Sequence, residues 1–272
     1  MNDPNSLIKV TTIGHVAVVT IDRPDKRNAL VPEMMVKLAA TWDQLAANRT
    51  VRCVVLTGAG DQAFCAGGDL DRLIPLYTGE REVEDEWDQA LKDDPSIWDR
   101  AMLRGVGFLK PVIVAINGPA FAGGAELVLA SDIRIMSDRA SLAFTEVRRG
   151  MIAGGGALSR LHRQIGWANA MELMLVAEPC DARRARELGI VNEVAAPADL
   201  MRVALEMAER VALGAPVALE KAKEAMLLTT GLPLLEAFEI ETSLTAIVSA
   251  TQDAREGPRA FMQKRRPEFQ GR

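Results

Sequence analysis

The chain opens on two apolar stretches, LIKVTTI and HVAVVTID, hinged at Gly14. Their β-branched content and the turn residue between them predict a short hairpin. A polar loop follows, RPDKRNAL, carrying Arg23, Lys26 and Arg27. From Val31 to Ala47 apolar residues recur at helical spacing, and VRCVVLTG is then a continuous apolar run ending in glycine, the mark of a buried strand. Helix alternating with buried strand predicts α/β layering. PVIVAI repeats the buried-strand pattern, and WDRAMLRGVGFL reads as a helix feeding it. DIRIMS, ASLAF and IVNEV read as strands, while AELVLAS, ALSRLHRQIG, WANAMELMLVA and ARRARELG read as helices. Residues 77–110 are polar and acidic, and EREVEDEWDQALKDD predicts a solvated helix or mobile segment bordering a cleft. From Asp199 the pattern is helical throughout. A boundary near residue 200 therefore separates an α/β part, 1–198, from a helical part, 199–272.

Two glycine pairs interrupt this patterning, FCAGGD and FAGGAE, each placed after a strand. In the stretch NGPAFAGGAELVLAS the pair sits at the start of a helix. Glycines there expose backbone N–H groups at the positive end of the helix dipole, an arrangement suited to an anionic oxygen. Glu126, three residues after Gly123, adds a carboxylate in the first turn. A glycine-rich turn with a dipole-complementing glutamate fits the same letters, so this stretch alone leaves both readings open. Glu146 lies twenty positions on, where a strand-end carboxylate could pair with Arg148 or Arg149. Gly58, Gly60 and Ala63 match a degenerate dinucleotide-binding GxGxxA, but further glycines and Asp69 interrupt the helix that motif needs, and no strand ending in an acidic residue follows at the right distance.

Composition narrows the picture. A chain of 272 residues can bury a substantial core. Its net charge of −5 argues against a broad nucleic-acid surface. Cys53, Cys65 and Cys180 form no CxxC pair, and His15 and His162 stand too far apart for a local metal motif, so no metal site is expected. His162, beside Arg160 and Arg163, reads as a structural histidine. The opening MNDPNSL is polar, unlike a signal peptide, and no apolar run approaches the roughly 20 residues of a membrane span. A soluble cytoplasmic protein without membrane partners is expected.

Taken together, RPDKRNAL, VVLTGAGDQAFCAGGDL, KPVIVAINGPAFAGGAELVLASDIRI and FTEVRRGMIAGGGALSRL, extended by ARELGIVNEV and FMQKRRPEF, resemble the crotonase (enoyl-CoA hydratase/isomerase) superfamily in order and spacing over almost the full length. The resemblance implies the crotonase fold, an α/β spiral of repeated ββα units with a helical C-terminal region that drives association into a homotrimer or a homohexamer. It implies an oxyanion hole made by the backbone N–H groups of Gly68 and Gly123, and a pair of catalytic glutamates, Glu126 and Glu146, acting on one water. Gly154 matches a backbone position contacting that water. The implied reaction is hydration of a trans-2-enoyl-CoA to a 3-hydroxyacyl-CoA with no metal and no redox cofactor, coenzyme A being part of the substrate.

Lys26, Arg27 and Ala29 match the loop bordering the nucleotide, and Ala66, Gly67, Asp69 and Leu70 the backbone around the adenine. Phe261 and Lys264 match residues that reach coenzyme A from a neighbouring subunit. Some positions depart from the family pattern. Met151-Ile152-Ala153 stands where a proline often precedes the third glycine cluster, Thr145 stands where proline commonly precedes the second glutamate, and residues 77–100 are longer and more acidic than in compact hydratases. Isomerisation, carnitinyl-CoA-type dehydration and non-catalytic acyl-CoA binding are the alternative readings. RNA binding, known in a few relatives, fits poorly with the acidic balance.

Overall fold

The computed structural model describes residues 6–272, so the part of the polar opening formed by residues 1–5 lies outside the described residues. β1 (Ile8–Ile13) and β2 (Val16–Ile21) form the expected antiparallel hairpin, turning at Gly14 with φ 56°. Then come α1 (Pro32–Ala47), β3 (Cys53–Gly58), α2 (Leu73–Thr78), α3 (Glu86–Asp93), α4 (Ser96–Ala101), β4 (Val112–Ile116), β5 (Ala120–Phe121) and α5 (Gly123–Ala130). They are followed by β6 (Ile133–Ser137), β7 (Ser141–Ala143), α6 (Ala157–Ile165), α7 (Trp167–Val176), β8 (Cys180–Asp181), α8 (Ala182–Glu187) and β9 (Glu193–Ala195). The chain ends in α9 (Leu200–Ala212), α10 (Pro216–Thr229), α11 (Leu234–Ser249) and α12 (Asp253–Met262).

The strands form two sheets. The larger runs β1-β2-β3-β4-β6-β9, parallel from β2 onward, and the smaller runs β5-β7-β8. Isolated bridges Leu30–Gly68 and Cys65–Ala120 extend the small sheet towards the N-terminus. Each turn of the chain thus contributes a strand to the large sheet, a short extended piece to the small one and a helix, which is the ββα spiral. β3 and β4 are buried on both faces, as their unbroken apolar runs require. One face of the large sheet packs on α1, α5 and the small sheet. The other is covered by Leu200, Ala204, Ala208 and Ala212 of α9, which meet Val16, Val18, Cys53, Val55, Ile113, Ala115 and Ile135. The small side chains of α9 let it lie close against the strands.

Two expectations are corrected. WDRAMLRGVGFL is helical only to Ala101, because Leu103 (φ 50°) and Gly105 (φ 131°) turn the chain out of the helix before β4. The acidic segment is not simply solvated, either. Asp88 is 0% exposed and receives both Arg81 nitrogens, at 2.6 and 2.8 Å, and the Glu84 N–H at 3.0 Å. Asp85 caps α3 by accepting from the Trp87 and Asp88 N–H groups. Local charge content concealed a buried ion pair that straps residues 81–88 to one another.

Candidate active site

The two glycine turns meet because the small sheet is laced through them. Residues 65–69 hydrogen-bond on one side to the N-terminal loop, with Ala66 N–H donating to Arg27 O, Leu30 N–H to Gly67 O and Asp69 N–H to Leu30 O, at 2.8–3.0 Å. On the other side Phe64 N–H donates to Pro119 O and Phe121 N–H to Cys65 O. Gly124 permits this contact, since a Cβ there would lie 2.1 Å from Cys65 O. Gly67 has φ 95°, and a Cβ on it would lie 2.8 Å from Ala122 Cβ and 3.3 Å from Gly123 N. Gly67 is therefore required both by its conformation and by the approach of the second turn. Ala122, the residue before α5, adopts φ 48° and ψ −121°, a strained conformation for a residue with a Cβ. Its ψ sets the direction of the peptide carrying the Gly123 N–H. Among the described residues, neither the Gly68 nor the Gly123 N–H has a hydrogen-bond acceptor. Two free donors thus lie on neighbouring turns.

The first turn of α5 also carries Glu126, which is 4% exposed. Its Oε1 accepts from the Ala157 N–H at 3.1 Å, the first residue of α6, so the carboxylate caps that helix across space. Gly155 lies against the other oxygen, and a Cβ there would come 2.7 Å from Oε2. Burial pushes the Glu126 carboxyl above the usual carboxylate range, while N–H groups of Ala157 and Gly155 and the charges of Arg160 and Arg104 pull it back. Glu146 opens a 3-10 turn after β7 and is 8% exposed. Neither of its carboxylate oxygens has a partner among the described residues. Burial pushes it up to about 7, with the charge of Glu126 acting in the same direction. Glu126 thus shares the first turn of α5 with one free backbone donor, and its charge reaches the second buried carboxyl, Glu146.

The fold and the sequence point the same way. The enoyl-CoA hydratase/isomerase family model matches residues 11–272. The chain belongs to the enoyl-CoA hydratase/isomerase family. It is 36% identical to enoyl-CoA hydratase EchA19 of Mycobacterium tuberculosis, over 95% of this chain and 94% of that one. It is 35% identical to (E)-benzylidenesuccinyl-CoA hydratase of Thauera aromatica, over 95% and 96%. The crystal structure of enoyl-CoA hydratase from Bacillus anthracis superposes with a TM-score of 0.88 at 34% identity, covering 98% of this chain and all of that one. The protein is accordingly an enzyme with the crotonase fold.

Other residues singled out in the sequence are placed as follows. Lys26, Arg27 and Ala29 lie in the loop that pairs with residues 66–69, Lys26 and Arg27 with exposed side chains. Asp69 is committed within the protein, its Oδ2 held by Arg23 Nη1 at 2.5 Å and its Oδ1 accepting from the Asp71 and Arg72 N–H groups. Its backbone is committed as well, the N–H donating to Leu30 O and the carbonyl accepting from the Leu73 and Ile74 N–H groups. Ala66 is half-buried and Leu70 exposed. Phe261 and Lys264, at the end of α12, are exposed, and no hydrogen bond or ion pair among the described residues joins either to the glycine turns. His162 is half-buried, with Nδ1 3.0 Å from Leu158 O. No group of three or more His, Cys, Asp or Glu side chains among the described residues is arranged to hold a metal.

The pairing considered for Glu146 does not form. Arg148 instead donates to Val176 O at 2.6 Å and pairs with Glu178 at 3.3 Å, and Arg149 donates to Thr145 O at 3.2 Å. Gly154 is exposed and open around its Cα, whereas Gly155 and Ala157 are the residues that touch Glu126. Three consecutive glycines offer no local signal of which one faces the carboxylate.

Sequence reasoning also missed the apolar walls. Ile74 of α2 closes on Gly68, with Cδ1 2.8 Å from where a Cβ would stand, and Met102 Cε lies 3.7 Å from the same point on Gly123. One turn outward on each helix, Tyr77 and Trp98 meet edge to face with centroids 5.5 Å apart. Apolar side chains from α2 and from the end of α4 therefore border the two glycine turns.

Proposed function

We propose that the protein hydrates a trans-2-enoyl-CoA to a 3-hydroxyacyl-CoA. The observation that carries this reading is a pair of buried carboxyl groups, Glu146 feeling the charge of Glu126, together with two glycine turns whose N–H groups have no acceptor among the described residues. The Gly68 and Gly123 N–H groups would hold the thioester oxygen and stabilise the negative charge that moves onto it, a contribution of about 3 kcal/mol per donor in comparable sites. Glu126, supported by N–H donors and cationic neighbours, takes a proton from water as its oxygen bonds to C3. Glu146, protonated near neutral pH, returns a proton to C2. One proton is taken and one is given, so the step balances with water alone and needs neither a metal nor a redox cofactor. Carboxyl groups that repel each other divide these two roles because both do not ionise together.

Lys26, Arg27 and Ala29, with the backbone of Ala66–Leu70, would border the coenzyme A nucleotide, and the open edge at Gly154 would admit the water. A slot between α2 and α4, past Ile74 and Met102, would take the acyl tail. Phe261 and Lys264 would serve a neighbouring copy. Self-association as a trimer or hexamer is supported by α10, which has no buried residue in the isolated chain, and by Met226 and Leu235, exposed at 76% and 78%. Sedimentation should give a mass at least three times that of one chain, and a monomer at micromolar concentration would refute this part.

The central test is direct. The purified protein should convert trans-2-butenoyl-CoA and longer or aryl-bearing enoyl-CoAs to 3-hydroxy products, followed by product analysis. Glu126→Gln and Glu146→Gln should each bind the thioester and turn it over poorly. Binding without turnover across the whole panel would overturn the reading in favour of a non-catalytic role, and shifted double bonds in the products would favour isomerisation.

A further inference from the structure

We infer that Arg160 is the positioning residue for Glu126, joining two backbone carbonyls behind the carboxylate and supplying its countercharge. The inference rests on the proposed use of Glu126 in hydration. Arg160 lies in the first turn of α6, three residues after the Ala157 whose N–H binds Glu126. Its Nη2 donates to Leu103 O at 2.6 Å, and its Nη1 stands 3.5 Å from Gly155 O. Gly155 is thus engaged twice, with Glu126 against its Cα and N–H and Arg160 at its carbonyl. Gly156 makes room for the guanidinium, since a Cβ there would lie 2.6 Å from Nη1. Leu103 follows Met102, whose Cε packs between the Gly155 and Gly123 positions. One side chain therefore links the α6 N-terminus, the glycine loop and the wall of the slot.

The charge of Arg160 has no ordinary explanation. Among the described residues it forms no ion pair, although its side chain is half-buried. The other buried arginine, Arg134, satisfies its guanidinium with four protein oxygens, from Ser131, Gln164, Ile190 and Leu129. Arg160 has only two such contacts and faces Glu126 as its principal opposite charge. A cation held off water without a paired anion is costly, and the cost is offset when a nearby buried carboxylate is kept ionised. The charged groups facing Glu126 are Arg160 from α6, Arg104 from the loop after α4 and Glu146 from the 3-10 turn. Arg104 is exposed and already paired with Asp99 at 3.0 Å, which leaves Arg160 as the uncommitted countercharge.

The test uses full-length Arg160→Gln, Arg160→Lys and Arg104→Gln, with Glu126 titrated by carbon-13 NMR of labelled glutamate and assigned by its loss in Glu126→Gln. Arg160→Gln should raise the Glu126 titration midpoint by about one pH unit and Arg104→Gln by much less. The acid limb of kcat/KM should move by the same amount, with kcat on that limb falling by up to about tenfold and KM changing less than about threefold. Arg160→Lys should keep most of the midpoint but lose kcat at every pH, because an ammonium reaches only one carbonyl. An unmoved midpoint in Arg160→Gln overturns the inference. So does a Lys variant with the parent's kcat, which also decides the matter if the Gln variant fails to fold. A moved midpoint with unchanged activity would uphold the role of Arg160 and overturn the use of Glu126 as the base.

Discussion

Glu126 and Glu146 are the same residue type and both buried, the charge of one reaching the other, and yet their surroundings differ in kind. Glu126 is held by the first N–H of a helix, touched by Gly155 and faced by two arginines. Glu146 has burial without partners. Hydrogen bonds and opposite charge favour a carboxylate, while bare burial favours a carboxylic acid. Burial pushes both groups up, but at Glu126 hydrogen bonds and opposite charges oppose it, while at Glu146 little does, so Glu126 is the easier of the two to ionise.

Removing either carboxyl group should be the most damaging way to probe this contrast. Glu126→Gln and Glu146→Gln should each lower kcat by about 10²–10⁴-fold, measured as hydration of trans-2-butenoyl-CoA. Equal residual rates near the parent's would erase the proposed division of labour.

Glycine 155 offers a more selective probe. Gly155→Ala places a methyl group against the Glu126 oxygen and Met102 Cε, and should cut kcat by roughly 10–100-fold while leaving Glu146 titrating as before. A parental rate would mean that Glu126 has room to move aside.

Stability should separate the two glutamates in size, since burial raises both carboxyl groups and Glu146 the more strongly. The carboxyl of Glu146 is raised from 4.5 to about 7, so its folded form resists ionisation and the unfolded chain loses the proton first. Protonation therefore favours the fold below pH 4.5, and that contribution fades as pH rises through about 7. Glu146→Gln should accordingly be more stable than the parent by about 2 kcal/mol at pH 8 and indistinguishable from it below pH 4. Glu126→Gln, which gives up an N–H acceptor with full charge, should gain less. Urea unfolding at the two pH values measures both. The smallest expected effect is that of Arg149→Ala, which removes a charge that lowers the Glu146 midpoint and should raise it by a few tenths of a unit in a pH–rate profile.

How much of this could be seen in the letters depends on the range of the interaction. β3 and β4 are continuous apolar runs and the glycine turns follow them directly, so strands, turns and both glutamates were legible. The short strands Ala120–Phe121 and Cys180–Asp181 were not, because two residues carry no period and exist only through their neighbours in the small sheet. Asp88 looked solvated since its partner Arg81 is set by a fold-back of the chain and not by helical spacing. Arg148 lay two residues from Glu146 and invited a pairing, but the 3-10 turn directs it to Val176 O. Arg160 drew no role from the sequence beyond standing near His162 on a helix. Its partners, Leu103 and Gly155, are carbonyls, which sequence never advertises.

The contact between Gly124 and Cys65 has a further implication. With 2.1 Å between Cys65 O and an added Cβ, main chain rests on main chain and leaves no clearance. The spacing of the two donors is therefore indifferent to which side chains surround them. The slot walls touch the same frame only through the flexible tips of Ile74 and Met102. On the proposed reading, exchanging those tips would change which acyl groups fit, while the backbone frame that carries the two donors stays as it is. One scaffold can in this way diversify its substrates without renegotiating its chemistry.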